Sequence, residues 1–298
     1  DAGCNGVDVT LLGLGERAGN AKLHSVVEAL RLRGFTTSVP RERLRPACQT
    51  VAVIARRRIP PNEPHLGRDV DSNTAGVHSD GDRKGRLYVA PERQPQDYGG
   101  SLRHPLGKLS GRANVVSNLE RLGLSLQAPQ VDELLHQVVE LAERKAWVNL
   151  GDLLQLAAQV LERPEMVVFE VLEFSSGSRK TASGRGASIE GRVRFRGHEH
   201  PFAAVGVGQF DAFICAMQEL GHAVGMRVPE LVDFEDFILP PQPGEEASRA
   251  LIHVQTTWRY PADGEVFSTD AVDADWMSAA IDAATSAINL ANQANGHG

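Results

Sequence analysis

Two segments of this sequence place ligating or proton-handling side chains among glycines that free the backbone. The first is Leu12-Gly13-Leu14-Gly15-Glu16-Arg17-Ala18-Gly19-Asn20. It closes an apolar run and precedes a helical pattern, so it reads as a strand's carboxyl end turning into a helix, where α/β proteins place their sites. Its G-x-G-x-x-x-G spacing departs from the dinucleotide fingerprint and argues against a nicotinamide cofactor. Asn20 suits a cap to the helix, and Glu16 and Arg17 suit a rim ion pair. The second segment is Asn73-Thr74-Ala75-Gly76-Val77-His78-Ser79-Asp80-Gly81, with Lys84 and Tyr88 after it. A histidine between two loop glycines is accessible, and an ordinary pKa of about 6.5 suits proton transfer, although by type alone His78 is also a plain surface histidine. His198-Glu199-His200 spaces two imidazoles as a strand-borne zinc pair would. No third ligand is near, and Gly197 marks a turn, so this reads as a loop.

Elements must position these residues. Val7, Val9, Leu11 and Leu12 predict a short strand over 6–14, and Leu23, Val26, Val27 and Leu30 predict a helix over 19–33 closed by Gly34. One such β/α unit cannot bury both its faces, which implies a larger α/β body beyond it. A second helix is expected from Pro46 to about Ala55, then a long loop rich in Gly, Pro, Asp and Asn to about Pro105. Helices return over 110–122, 129–145 and 150–162. After Pro164 the period changes to alternation, predicting strands over 167–174, 188–195 and 200–207 before a helix over 210–220. The order then repeats, with strands over 231–239, 250–259 and 266–272 before a helix over 275–290. Two sets of three strands and a helix make an α+β layer, expected to pack together and to pair again across a dimer.

Composition narrows the partners. A net charge of −7 argues against nucleic acid, and the arginines at 56–58 and from 185 to 196 read as solvated charge. No apolar run reaches the roughly 20 residues of a membrane span. The opening Asp1-Ala2-Gly3-Cys4 has neither an initiating Met nor a signal peptide, as though the chain were entered in mid-fold. Cys4, Cys48 and Cys215 form no metal pair and predict buried thiols in a reducing cytoplasm.

Read together, Gly15-Glu16-Arg17-Ala18-Gly19-Asn20, Pro61-Asn62-x-Pro64 with Gly67, Gly76-x-His78-x-x-Gly81, and Gly107-Lys108-x-Ser110-Gly111-Arg112 resemble the 2-isopropylmalate, homocitrate and citramalate synthases. Ala2-Gly3-Cys4 resembles the tail of their H-x-H-N-D signature. Glu190-Gly191-x-Val193, Gly206-x-Gly208, Val272-Asp273-Ala274-Asp275 and Ala287-Ile288-Asn289 resemble their C-terminal effector domain. The family's G-x-D-A effector loop is matched only roughly by Gly244-Glu245-Glu246-Ala247.

The resemblance implies a fold of α/β plus α+β. Residues 1–34 would be the last β/α unit of a TIM barrel, 35–163 linker and capping helical subdomains, and 164–298 a duplicated βββα regulatory domain. It implies condensation of acetyl-CoA with a 2-oxo acid, 2-oxoisovalerate giving 2-isopropylmalate. Citramalate synthase, or a non-catalytic subunit complementing a separate barrel chain, is the alternative. Asn20 would lie beside a divalent ion (Zn, Mn or Mg), His78 and Tyr88 would handle protons, and a hydrophobic amino acid would be the effector. The isolated chain would be inactive. A homodimer, or a dimer with a barrel chain, is expected.

Overall fold

Apolar residues three and four apart make the first helix, α1 (Leu23–Arg31), which buries Val27 together with two polar residues of the same face, His24 and Glu28. The computed structural model describes residues 3–67, 69–71, 81, 95–98, 105–145, 148–181, 184–239, 246, 250–260 and 264–293. They form two units, Asp1–Pro105 and Leu106–Gly298.

In the first unit, the strand expected over 6–14 does not form. Gly3–Asp8 is exposed and carries no strand, and Leu11–Gly13 makes a 3-10 turn with Leu12 at φ 58°. A strand requires a partner that takes its backbone groups along its length. Among the described residues only Thr10 has one, in a parallel bridge to Lys22. Its N–H donates to Ala21 O and its carbonyl accepts from Leu23 N, both at 3.0 Å. Helix α1 starts at Leu23 rather than 19, because 15–19 is taken up by the glycine turn. Gly34 closes it at φ 82°, its N–H bonded to Arg31 O, as the sequence suggested.

Helix α2 (Leu44–Ile54) follows a 3-10 turn at Arg41–Arg43 and begins two residues before Pro46. A proline in the first turn removes no helical hydrogen bond, so the helix accepts it there. Leu44, Cys48 and Ala52 face inward at successive turns, whereas Val53 and Ile54 are exposed. The core is small: Val27, Leu44, Cys48, Leu66 and Tyr98, flanked by Leu11, Leu12 and Leu23.

The second unit opens with three helices, α3 (Arg112–Arg121), α4 (Ala128–Arg144) and α5 (Leu150–Val160). Asn149 and Asp152 cap α5 reciprocally: Asp152 N donates to Asn149 Oδ1 at 3.0 Å and Asn149 N to Asp152 Oδ2 at 2.8 Å. An antiparallel meander of β1 (Phe169–Thr181), β2 (Gly184–Phe195) and β3 (His198–Gly206) then leads into α6 (Gln209–Val224). A second meander of β4 (Glu230–Ile238), β5 (Ile252–Arg259) and β6 (Val266–Asp273) leads into α7 (Trp276–Ala291). The first strand of each carries a bulge near its start, between Val171 and Glu173 and between Leu231 and Asp233.

His198, Glu199 and His200 open β3 instead of forming a loop. Arg196 (φ 48°) and Gly197 (φ 82°) make a two-residue hairpin, so pairing begins directly at Phe195 with His198. Glu199 is engaged by Arg192 and Arg194, which also pair with Glu173 and Glu170. These arginines are solvated cross-strand charge, as expected. Of the thiols, only Cys48 is buried; Cys4 is exposed and Cys215 intermediate, which corrects the expectation of three buried thiols.

Helix α7 ties this unit together. Ala279, Ala280, Ala283, Ala284 and Ala287 have no exposed surface, and small side chains let neighbouring backbones approach. Gly151 of α5 meets Ser286 of α7 so closely that a Cβ on Gly151 would lie 2.6 Å from the serine Cβ. Asn289 clasps one peptide unit of β1: its Oδ1 accepts from Phe169 N at 2.9 Å and its Nδ2 donates to Phe169 O at 2.8 Å. Asn292, just after the helix, does the same to Arg227 ahead of β4, at 2.9 and 2.7 Å. Phe210, Phe234 and Trp276 pack with tilted and edge-on rings where α6, β4 and α7 meet.

Candidate functional site

The glycine turn of the first unit closes on itself. Asn20 N donates to Gly13 O at 2.9 Å, and the Asn20 amide donates from Nδ2 to Leu14 O at 3.0 Å. Thr10 Oγ1 reaches the same carbonyl at 2.8 Å. Gly19, at φ 88°, lies so close to Gly13 O that no side chain fits there. Asn20 therefore locks the turn, and α1 is preceded by Lys22 with no side-chain cap. With its nitrogen engaged, the carbonyl oxygen of the exposed Asn20 amide is the end left for a cation. Among the described residues no group of three His, Cys, Asp or Glu could hold a metal ion. A single neutral oxygen does not hold a divalent ion, so the described residues do not by themselves make a metal centre. Glu16 and Arg17 are exposed and form no ion pair with each other. His78 and Tyr88 lie outside the described residues, as do Lys84, Gly244, Glu245 and Ala247.

Beside the turn is a polar cluster that sequence reasoning missed. Pro60–Gly67 folds into a tight loop, with Gly67 N donating to Glu63 O at 2.8 Å and Gly67 packed too closely on Pro61 O for any side chain. The loop turns Glu63 inward. Its carboxylate accepts from Lys22 Nζ at 2.6 and 2.7 Å and lies 3.0 Å from His24 Nε2. Burial alone would raise the Glu63 pKa, but hydrogen bonds from Lys22 and His24, and their charges, outweigh it and hold the carboxyl below its usual range. Burial lowers His24 below its ordinary value against the pull of Glu63. The resulting assignment is an ionised Glu63 and a neutral His24 with its proton on Nε2. His24 Nδ1 then remains buried without a donor among the described residues.

The cluster continues inward. His65 stacks on Tyr98 at 5.0 Å, and the Tyr98 hydroxyl donates to Glu28 Oε2. Arg41 lies 3.0 Å from Asp97 and 3.7 Å from Glu28. His24 has no exposed surface and holds the loop through Glu63. Its spacing from Leu23, Val27 and Glu28 put it on the buried face of α1, the one signal that could have revealed it.

The turn and the loop wall a cleft of about 240 Å³ that also takes in Arg17, Arg57 and Arg58. The second unit has its own polar cluster. Lys145 Nζ donates to Asp152 Oδ2 and to Asp270 O, both at 2.6 Å, Asn149 Nδ2 donates to Asp270 Oδ1 at 2.9 Å, and His253 Nε2 lies 3.1 Å from Asp270 Oδ2. Burial raises Asp152, while at Asp270 hydrogen bonds from His253 and Asn149 and the Lys145 charge overcome burial and lower it. The two carboxyls thus titrate apart.

The βββα layers following three helices define the second unit as an α+β domain, and the first unit carries a Gly-Glu-Arg-Ala-Gly-Asn turn. The family described as the LeuA allosteric (dimerisation) domain matches residues 148–292, and the HMGL-like family matches residues 1–51. The chain belongs to the 2-isopropylmalate and citramalate synthase family and carries its C-terminal regulatory domain. A putative (R)-citramalate synthase of Methanopyrus kandleri is 30% identical over 97% of this chain and 55% of that protein. A probable 2-isopropylmalate synthase of the same organism is 35% identical over 76% of this chain and 46% of its own length. The 2-isopropylmalate synthase of Aquifex aeolicus is 30% identical over 97% of this chain and 54% of its own. The chain spans about half the length of the curated relatives it matches. Among the described residues, no helix is long and apolar enough to cross a membrane.

Proposed function

We propose that this chain is part of a cytoplasmic synthase that condenses acetyl-CoA with 2-oxoisovalerate to give 2-isopropylmalate. The observation that carries the reading is the order of the two family matches, 1–51 and then 148–292, in one chain. In this reading residues 1–34 correspond to the last β/α unit of a barrel, 35–163 to linker and capping subdomains, and 164–298 to a duplicated regulatory domain. The similarity to the (R)-citramalate synthase favours a second reading, in which the 2-oxo acid is smaller.

His78 and Tyr88 are the proton-handling pair of the proposal. A base takes a proton from the acetyl methyl, the enolate attacks the oxo carbon, and water then cleaves the thioester. The divalent ion that the family resemblance implies would draw at most one neutral oxygen, from Asn20, among the described residues, and no step is assigned to it.

The regulatory domain would bind a small hydrophobic amino acid and pair as a dimer. Supporting the pairing, Val205, Val207, Val232 and Ile238 are exposed on the strands or just beyond them, and symmetric pairing is the commonest form of homo-oligomer. The test mixes this chain with a separately expressed barrel fragment and follows free CoA release from acetyl-CoA and 2-oxoisovalerate, with pyruvate as the competing substrate. Activity is expected in the mixture alone, and His78→Ala should lower it about a hundredfold or more. A His78→Ala mixture at full rate overturns the role of His78, and no turnover with either oxo acid overturns the synthase reading.

A further inference from the structure

The corner where α4 leads into α5 holds more negative than positive charge. Two carboxylates, Asp152 of α5 and Asp270 of β6, share one ammonium, that of Lys145 just after α4. The three side chains are 14%, 10% and 10% exposed in that order, so water screens them little. Among the described residues no other lysine or arginine pairs with either carboxylate, and His253 of β5 faces Asp270 rather than Asp152. Asp282, exposed on α7, feels both Asp273 and Lys145 and adds negative charge at the rim. The two carboxylates use their oxygens differently. Asp270 engages both: Oδ1 accepts from Asn149 Nδ2 at 2.9 Å, and Oδ2 lies 3.1 Å from His253 Nε2 and 3.4 Å from Lys145 Nζ. Asp152 takes both its donors, Lys145 Nζ at 2.6 Å and Asn149 N at 2.8 Å, on Oδ2. Among the described residues Oδ1 makes no hydrogen bond, so it can carry a proton without breaking one.

We propose that Asp152 is a proton-operated latch: a proton on Oδ1 leaves one carboxylate for the one ammonium and lets α5 dock on β6, and its release to water loosens the corner. Two buried like charges around a single cation repel, and the one with a free oxygen is the one that takes the proton. The titration directions agree with the geometry. Burial holds Asp152 above its usual 3.8, with Lys145 opposing and the Asp270 charge adding to the rise. At Asp270 burial is outweighed by the His253 hydrogen bond, the Lys145 charge and Asn149, and the carboxyl falls below 3.8. The contribution of Asp152 to stability is therefore present below 3.8 and lost as pH rises through its folded pKa. That of Asp270 is present above 3.8 and lost as pH falls through its folded pKa. The corner is tightest between the two folded values and slackens above the upper one. Because α5 meets α7 at Gly151 and Ser286, the slackening reaches the helix whose Asn289 holds β1.

The test follows hydrogen exchange of the full chain as pH rises from 3.8 toward neutrality. Protection of the α5 amides, corrected for the intrinsic pH dependence of exchange and read against α6, should fall. Asp152→Asn, which copies the protonated carboxyl in shape and charge, should hold α5 protection level and leave it above the parent at neutral pH. His253→Gln keeps a donor for Asp270 and should retain the fall. Infrared difference spectra of the chain labelled at its aspartates should show a protonated carboxyl at pH values where ordinary aspartates are ionised. Asp152→Asn should remove that band and Asp282→Asn should keep it. Circular dichroism of each variant checks that the fold is kept. An Asp152→Asn curve that follows the parent overturns the proposal, as does a parent whose α5 protection does not fall. A fall kept by Asp152→Asn and abolished by His253→Gln moves the proton to the imidazole and overturns the assignment to Asp152. Should Asp152→Asn not fold, the spectra of Asp282→Asn decide, and the absence of a protonated aspartate there overturns the latch.

Discussion

Replacing Glu63 with alanine tests the polar cluster of the first unit most directly. Glu63 is the shared partner of Lys22 and His24, and the two respond differently to its loss. The Lys22 side chain is 42% exposed, so its ammonium regains water and loses only about 0–1 kcal/mol. His24 is fully buried, and its Nδ1 already lacks a donor. Without Glu63 its Nε2 is left unsatisfied too, at about 1–3 kcal/mol. The first unit should lose about 1–4 kcal/mol in all.

All three tryptophans, Trp147, Trp258 and Trp276, belong to the second unit, so their fluorescence serves as an internal control. The first unit is read by hydrogen exchange at the amides of α1. Protection of Val27 and Glu28 should fall by the stated amount while tryptophan unfolding in urea is unchanged. A loss below about 0.5 kcal/mol, within the range of ordinary surface substitutions, would refute the claim that Glu63 anchors the loop. The pH dependence has a defined sign. His24 is lowered from 6.5, so the unfolded chain takes up a proton that the fold refuses, and stability falls as pH drops below 6.5. Glu63 is lowered from 4.5, and its contribution is present above that value and lost as pH falls through the folded pKa. Glu63→Ala should abolish the second phase and keep the first.

Asn289→Ala strands a buried peptide unit at Phe169 and should cost about 2–4 kcal/mol in urea unfolding followed by tryptophan fluorescence. Asn292→Ala should cost less, because Arg227 is only partly buried; equal losses would discount burial as the cause. Gly151→Ala gains about 1 kcal/mol in helix propensity but forces a Cβ onto Ser286, so it should destabilise by a net 1–3 kcal/mol, roughly. Adding Ser286→Gly should recover most of that loss, and no recovery would mean the helices approach elsewhere. Leucine, isoleucine or valine at about a hundred times its Kd should stabilise the chain by about 2.7 kcal/mol, read as a thermal shift. No shift with any of the three at millimolar concentration would refute the proposed effector role.

The sequence by itself determined the elements whose signal is local. The alternation after Pro164 marked all six strands, and the three-and-four spacing marked α3, α4 and α7 to within about two residues, the usual spread of helix ends. Gly197 announced a turn and Gly34 a helix end, because glycine tolerates positive φ. The glycine turn before Asn20 was legible as a turn for the same reason, and only the family resemblance pointed to it as a site. Tertiary structure decided the rest. The run over 6–14 has the pattern of a strand but forms none here, since pairing is a property of a partner and not of the run itself. The burial of His24 depends on Glu63, 39 residues away, and that of Glu28 on Tyr98, 70 residues away, with Arg41 beside it. Arg57 and Arg58 looked like solvated charge, and only folding brought them to the cleft of Arg17 and Lys22. Local spacing fixes backbone geometry, but the partner that neutralises a buried or crowded charge comes from a distant part of the chain, and only the folded protein brings the two together.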